Sequence, residues 1–248
     1  MKNLAGKYCI VTGAGKGIGR AIAERFLDEQ AAGVAILEWD IALAEATAKE
    51  LDPTGERVIA IRCNVADSDV VKASVDEVLA KFGRIDVLVN NAGVTRDKIF
   101  HKMTDDDWNT VININLNGVY NLCKFVIPVM REQEAGSIIN ITSTSVMGNP
   151  GQANYAASKA AMEGFTRTMA KELARKGVRM NCIAPGCIDT DMMRAIGEEK
   201  IERLIKSLPA QRLGRPEEIA SVAAFLASDD ASWLSGEDIF VSGGSTLH

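Results

Sequence analysis

Tyr8-Cys9-Ile10-Val11-Thr12-Gly13-Ala14-Gly15-Lys16-Gly17-Ile18-Gly19 runs from an apolar stretch into a cluster of glycines, and Ile18, Ile22 and Phe26 continue beyond it at helical spacing. The apolar run reads as a short buried strand, and the i, i+4, i+8 pattern as a helix packed by one face. Strand, glycine turn and helix together form a phosphate cradle. Glycines let the backbone bend tightly and approach a pyrophosphate, whose charge is met by unpaired amides at the positive end of the helix. The spacing Gly13-x-x-x-Gly17-x-Gly19, with the extra Gly15, differs from the common Gly-x-Gly-x-x-Gly fingerprint, so the flanking strand and helix supply the context.

Working outward from this turn, apolar runs suited to buried parallel strands recur at 8-11, 34-37, 58-63, 85-89, 137-141, 178-183 and 238-241. Helical segments fall between them at 17-30, 41-51, 68-81, 105-130 with a break, 155-176 and 216-227. Such alternation implies right-handed crossovers and an α/β doubly wound sheet of about seven parallel strands, with helices on both faces. A chain of 248 residues suits one domain, expected to span 1-248. Ligands of such sheets lie beyond the carboxyl ends of the strands. The rhythm is interrupted after Ile188, where Asp189-Thr190-Asp191-Met192-Met193 opens an irregular excursion.

A second pattern lies far downstream. Tyr155 and Lys159 stand four residues apart in Asn154-Tyr155-Ala156-Ala157-Ser158-Lys159, which puts phenol and ammonium one turn apart on one helical face. A free tyrosine has a pKa near ~10, so proton transfer at neutral pH calls for a lowering of roughly 2 to 3 units, or about 3 to 4 kcal/mol. A lysine cation at ~4 Å supplies on the order of 4 kcal/mol at an effective dielectric of about 20. The spacing alone is common on exposed helices, and the upstream cradle gives it its meaning.

On these motifs the chain resembles the short-chain dehydrogenase/reductase family over nearly its whole length. Asn90-Asn91-Ala92-Gly93 after an apolar strand, Asn115 within Ile114-Asn115-Leu116, and Pro185-Gly186 after another strand extend the match. The runs Asn90 to Asp97, Gly148 to Tyr155, and Leu213-Gly214-Arg215-Pro216-Glu217-Glu218-Ile219 look most like those of bacterial 3-oxoacyl-carrier-protein reductases. The resemblance implies a Rossmann-like fold, an NAD(P)-dependent interconversion of ketone and secondary alcohol, and a substrate lid over 188-210. It implies that Tyr155 moves the proton on the substrate oxygen, while Lys159 lowers the tyrosine's pKa and holds the nicotinamide ribose. A serine hydroxyl would align the substrate oxygen, and Asn115 would fix a water in the proton relay. Relatives usually carry that serine 13 positions before the tyrosine. Here the position is Thr142, with Ser143 12 before and Ser145 10 before. Alignment on the strand Ile138-Ile139-Asn140-Ile141 selects Ser143 and a loop one residue shorter, with Thr142 as the alternative.

For the cofactor, the resemblance implies contacts from Gly13, Lys16, Gly17, Ile18 and Gly19 in the turn, and from Asn64 and Val65 after the third strand. Asn91, Ala92 and Gly93 would line the riboses, together with Tyr155 and Lys159. Pro185, Gly186, Ile188 and Thr190 would form the nicotinamide wall. Glu38 ends the second strand 19 positions after Gly19, where an acid accepts bonds from the adenosine ribose hydroxyls. It also opposes a 2′-phosphate: one like-charge pair at ~5 Å costs about 3 kcal/mol at a dielectric near 20, roughly a hundredfold in affinity. Lys16 argues for the phosphate. Because Trp39 and Asp40 follow Glu38 where NADP-dependent relatives usually add a second cation, the expectation is NAD(H) over NADP(H).

Net charge is −5, with lysines and arginines dispersed, so neither nucleic acid nor an anionic membrane is an evident partner. Cys9, Cys63, Cys123, Cys182 and Cys187 include no Cys-x-x-Cys, and the only histidines are His101 and His248. Free thiols in a reducing compartment and no metal site are expected, and the absence of an apolar leader or span points to a cytoplasmic protein. The expected substrate is a 3-oxoacyl thioester, on coenzyme A or on an acyl carrier protein met by Arg131, Arg175 and Lys176, which Glu132 and Glu134 dilute. The alternatives are another secondary alcohol, such as a hydroxysteroid, polyol or sugar, and a dinucleotide-binding sensor without turnover. By resemblance the chain forms a homotetramer. Ala157, Ala160, Ala161 and Gly164 would let helices approach closely, while Phe225, Leu226 and Trp233 would supply apolar area.

Overall fold

The computed structural model describes residues 3-246, which leaves His248 outside the described residues. Seven strands form one parallel sheet in the order β3-β2-β1-β4-β5-β6-β7. They are β1 (Tyr8–Thr12), β2 (Gly33–Glu38), β3 (Val58–Arg62), β4 (Val87–Asn90), β5 (Gly136–Ile141), β6 (Val178–Pro185) and β7 (Asp238–Val241). The chain winds outward from β1 to β3, returns to lay β4 on the other side of β1, and continues to β7. The β1/β4 seam is therefore the point where strand order reverses, and a crevice opens there at the carboxyl ends.

Both faces are covered because side chains alternate along each strand. Cys9 and Val11 pack into one core layer with Ile22 and Phe26 of α1 (Gly17–Asp28), Ala44 of α2 (Ile41–Leu51), and Ile219 and Leu226 of α9 (Pro216–Ala227). Ile10, between them, joins the opposite layer with Val75 of α3 (Ser68–Phe82), Leu122 and Val126 of α5 (Gly118–Gln133), and Met162 and Leu173 of α6 (Ala153–Leu173). Fully burying each large aliphatic side chain contributes about 1.5–3 kcal/mol.

Element ends depart modestly from the sequence expectation. The first helix stops at Asp28, short of residue 30, and α6 gives way after Leu173 to a tight turn at Ala174–Lys176 closed by Gly177 at φ +65°. The break expected within 105-130 lies at Asn113–Asn117, a single π turn between α4 (Asp105–Ile112) and α5. Thr104 caps α4 through a capping box with Asp107. Beyond β6, the excursion carries α7 (Asp191–Arg194) and α8 (Glu198–Ser207). Among the described residues, no helix is long and apolar enough to cross a membrane, and no three His, Cys, Asp or Glu side chains gather as a metal site. Cys9, Cys63, Cys123 and Cys182 are buried free thiols, and Cys187 is half-buried.

Candidate active site

At the seam, β1 ends in Thr12, whose hydroxyl accepts from the amides of Asn91 and Ala92, both at 3.0 Å. Asn91 Nδ2 returns bonds to the carbonyls of Thr12 at 2.9 Å and Gly13 at 3.0 Å. The glycine turn and the segment after β4 are thus locked together. The contact is so close that only glycine fits two of its positions. A Cβ on Gly13, at φ +63°, would lie 2.9 Å from the Cα of Ala92, and one on Gly19 would lie 2.4 Å from the carbonyl oxygen of Gly13. Lys16, the extended residue ahead of α1, makes no side-chain cap, so no side chain of its own caps the first amides of this helix. A glycine-rich turn with no room for a Cβ at Gly13 or Gly19, set against a helix of twelve residues with no side-chain cap from Lys16, fits a dinucleotide pyrophosphate.

One cleft of about 1500 Å³ gathers most of the residues singled out in the sequence. Gly13, Lys16, Gly17, Ile18, Glu38, Asn64, Val65, Asn91, Ala92 and Gly93 line one half. Ser143, Tyr155, Lys159, Pro185, Gly186, Ile188 and Thr190 line the other. Gly19 and Asn115 stand behind the wall. Glu38 is held at the rim, where Oε2 accepts from the Gly15 amide at 3.2 Å and Oε1 from the Trp39 amide at 2.8 Å. Asn64 Oδ1 already accepts from the Ala66 amide at 3.1 Å, which leaves its amino group for an outside partner. Asn91 commits its side-chain amino group within the protein. Thr190 caps α7, accepting from the Met193 amide at 3.4 Å.

The chemical group forms where β5 and α6 converge. Lys159 is buried, and its Nζ donates to the Ile141 carbonyl at 2.6 Å, 5.6 Å from the centre of the Tyr155 ring. The Ser143 hydroxyl accepts from the Ser145 amide at 3.1 Å. It is near enough to Tyr155 to oppose the upward shift of the phenol. Thr142 is buried with its hydroxyl donating to the Ile183 carbonyl at 3.0 Å, and the Ser145 hydroxyl is buried without a hydrogen-bond partner among the described residues. Asn115 sits in the π turn with its side chain fully buried. Its Oδ1 accepts from the Val94 amide at 2.9 Å, and its Nδ2 donates to the Val94 carbonyl at 3.1 Å and to Ser158 Oγ at 3.2 Å. This side chain therefore pins the strip after Gly93 to α6.

Burial dominates the titration of both members of the pair. Burial pushes the phenol up to about 12, with the Ser143 hydroxyl pulling it back and Asp97 adding to the rise. Burial also brings Lys159 down to about 8, which the neighbouring Cys182 opposes. The ammonium is drawn to the Ile141 carbonyl, and desolvation is the largest cause of the shift in each group. A stability consequence follows from the sign. An unfolded lysine titrates near ~10.4, so between about pH 8 and that value the unfolded chain binds more protons, and stability rises with pH. We expect the melting temperature of Lys159→Met, compared with the unmodified chain at pH 7, 8, 9 and 10, to lose this component of the slope, worth on the order of 1–3 kcal/mol. An identical slope in both proteins would contradict it.

Sequence reasoning missed several residues of this assembly. The Thr12 clamp gave no local signal, because its partners lie 79 and 80 positions away. Asn154, buried beside Tyr155, donates to the carbonyls of Arg96 at 3.1 Å and Asp107 at 3.0 Å, fixing the start of α6 against α4. Exposed Trp39 also lines the cleft, with the guanidinium of Arg62 5.4 Å from its ring centre.

The glycine turn, the β1/β4 seam and the tyrosine–lysine pair define a class, and comparison with known proteins agrees. Residues 13–246 match the family described as enoyl-(acyl carrier protein) reductase. The chain belongs to the short-chain dehydrogenase/reductase family, oxidoreductases acting on CH–OH and C=O groups with a nicotinamide cofactor. It is 45% identical to the 3-oxoacyl-(acyl-carrier-protein) reductase of Thermotoga maritima, over 98% of this chain and 99% of that protein. The proteins of the same name from Staphylococcus epidermidis and Chlamydia trachomatis are each 44% identical, over 96% and 97% of this chain respectively and 98% of each of those proteins.

Proposed function

We propose that the protein reduces a 3-oxoacyl thioester to the 3-hydroxyacyl thioester, with NADH as the favoured reductant. The observation that carries this reading is the convergence of Ser143, Tyr155 and Lys159 on a cleft whose other end is the glycine cradle. When bound, the nicotinamide supplies the hydride. Ser143 aligns the ketone oxygen, and Tyr155, fully protonated at neutral pH, gives that oxygen its proton. The Lys159 ammonium, still mostly charged at pH 7, stabilises the phenolate that develops; a charge pair at 5–6 Å contributes about 3 kcal/mol at a dielectric near 20. Asn115 holds the Val94 strip and has the family's place in the proton relay.

The substrate end supports an acyl chain over a polyol. Val94, Met147, Met192, Ile196, Leu204 and Leu208 line it, and Met147, Met192 and Ile196 stay exposed, an apolar surface that a chain of methylenes would cover. Residues 188-210 act as its lid, within the single domain 1-248. At the carrier-docking patch, Lys176 pairs with Glu134 at 2.9 Å, which leaves the exposed Arg131 and Arg175 as its basic groups without an ion pair among the described residues. A panel of acetoacetyl and crotonyl thioesters, a ketosteroid and a ketose, followed by cofactor oxidation, tests the substrate class. The acetoacetyl thioester should be turned over at least tenfold faster than the rest, and a faster steroid or sugar would overturn the reading.

The preference for NADH rests on Glu38, fixed at the rim by two amides. With like charges about 5 Å apart, NADPH should be disfavoured by up to about a hundredfold in kcat/KM. Glu38→Ala should remove most of that difference. Paired measurements of both cofactors decide it, and an unmodified protein that prefers NADPH would contradict it.

The assembly is a homotetramer. Ala157, Ala160, Ala161 and Gly164 are exposed along α6, Tyr120 on α5 is 54% exposed, and Trp233 is 99% exposed, faces that a second copy would cover. Leu226 does not belong to this set, because it is fully buried in the core against β5 and β6. Light scattering at micromolar concentration checks the state, and an active monomer would contradict it.

A further inference from the structure

Lys16 and Asp191 meet across the mouth of the cleft, with Nζ 3.0 Å from Oδ2. The lysine stands in the glycine turn just before α1, and the aspartate is the first residue of α7. The two segments touch there, since a Cβ on Gly17 would lie 3.6 Å from Thr190 Cγ2. A second nearby cation, Arg194, makes its hydrogen bonds to Asp189, at 2.7 and 2.8 Å. Asp191 also acts on the Arg194 charge, but the ion pair it forms is with Lys16. The Lys16 and Asp191 side chains are 62% and 71% exposed, so the bridge is weak and exchangeable.

We infer that Asp191 is a positioning residue for cofactor choice, acting through Lys16: the lid carboxylate and the 2′-phosphate of NADP compete for one ammonium. NAD leaves the bridge intact. NADP must draw Lys16 away from the lid, so its binding carries the loss of the bridge, and the lid in turn weakens NADP binding by the same factor. Asp191 therefore would add to the discrimination that Glu38 imposes. This rests on reading the glycine turn as the dinucleotide cradle.

The test is equilibrium binding of NAD+ and NADP+ to the full chain without substrate, by calorimetry, for the unmodified protein and for Asp191→Asn, Asp191→Glu, Lys16→Gln and Lys16→Gln/Asp191→Asn. Asp191→Asn should tighten NADP+ about three- to fivefold and leave NAD+ within about twofold, and Asp191→Glu should restore the original ratio. In the Lys16→Gln background, Asp191→Asn should no longer change the ratio. An equal effect of Asp191→Asn on both cofactors, or a ratio change that persists without Lys16, overturns the competition while leaving the cradle standing. Failure of the unmodified protein to bind either dinucleotide would overturn the cradle, and the competition with it.

Discussion

Tyr155→Phe is expected to lower turnover by about a hundredfold or more while the cofactor still binds. The substitution removes only the phenolic oxygen and its proton, so the ring remains in its place on α6 beside Lys159. In its absence the ketone oxygen would take its proton from water and lose an aligned donor. Lys159 cannot substitute, because its Nζ is turned to the Ile141 carbonyl at 2.6 Å. Steady-state rates together with a cofactor titration separate the two effects. Turnover retained at near its original value would remove Tyr155 from the reaction, and a parallel loss of cofactor binding would make it a structural residue of the cradle.

An alanine series at the short loop should give one severe loss, at Ser143, of about a hundredfold in kcat/KM. The three candidate hydroxyls have different commitments. That of Thr142 is spent on the Ile183 carbonyl, and that of Ser145 is buried with no partner among the described residues. Of the three, only the Ser143 hydroxyl influences the Tyr155 phenol. Thr142→Ala is expected to cost stability more than rate, since it removes a buried hydrogen bond, although the Ile183 carbonyl keeps the Thr142 amide as a donor at 2.8 Å. A severe kinetic loss at Thr142 with Ser143 nearly silent would move the aligning hydroxyl one residue back.

The sheet was legible because parallel strands buried on both faces must be apolar throughout, and because the glycine turn has a local cause. Gly13, Gly17 and Gly19 are read from spacing, and Gly13 and Gly19 sit where a Cβ has no room. Tyr155 and Lys159 were legible for the same reason, since one helix fixes their separation. What could not be read depends on partners distant in sequence. The Thr12 clamp needs Asn91 brought across the seam, and the Lys16–Asp191 bridge joins residues 175 positions apart. The direction of Lys159 followed from the carbonyl of Ile141, which no periodicity reveals, and the burial that raises the Tyr155 phenol depends likewise on packing from distant parts of the chain. Leu226 was misassigned to an interface because an apolar residue near the end of a helix reads the same whether it faces the core or a second copy.

The central claim is hydride transfer from a nicotinamide to the 3-oxo carbon of an acyl thioester. Its most direct test uses NADH deuterated at C4, in two preparations carrying the label on opposite faces, with an acetoacetyl thioester and the unmodified protein. Mass spectrometry of the product should place deuterium on the carbinol carbon from one preparation and none from the other. NADH oxidised without label in the product, or label at another carbon, would contradict it.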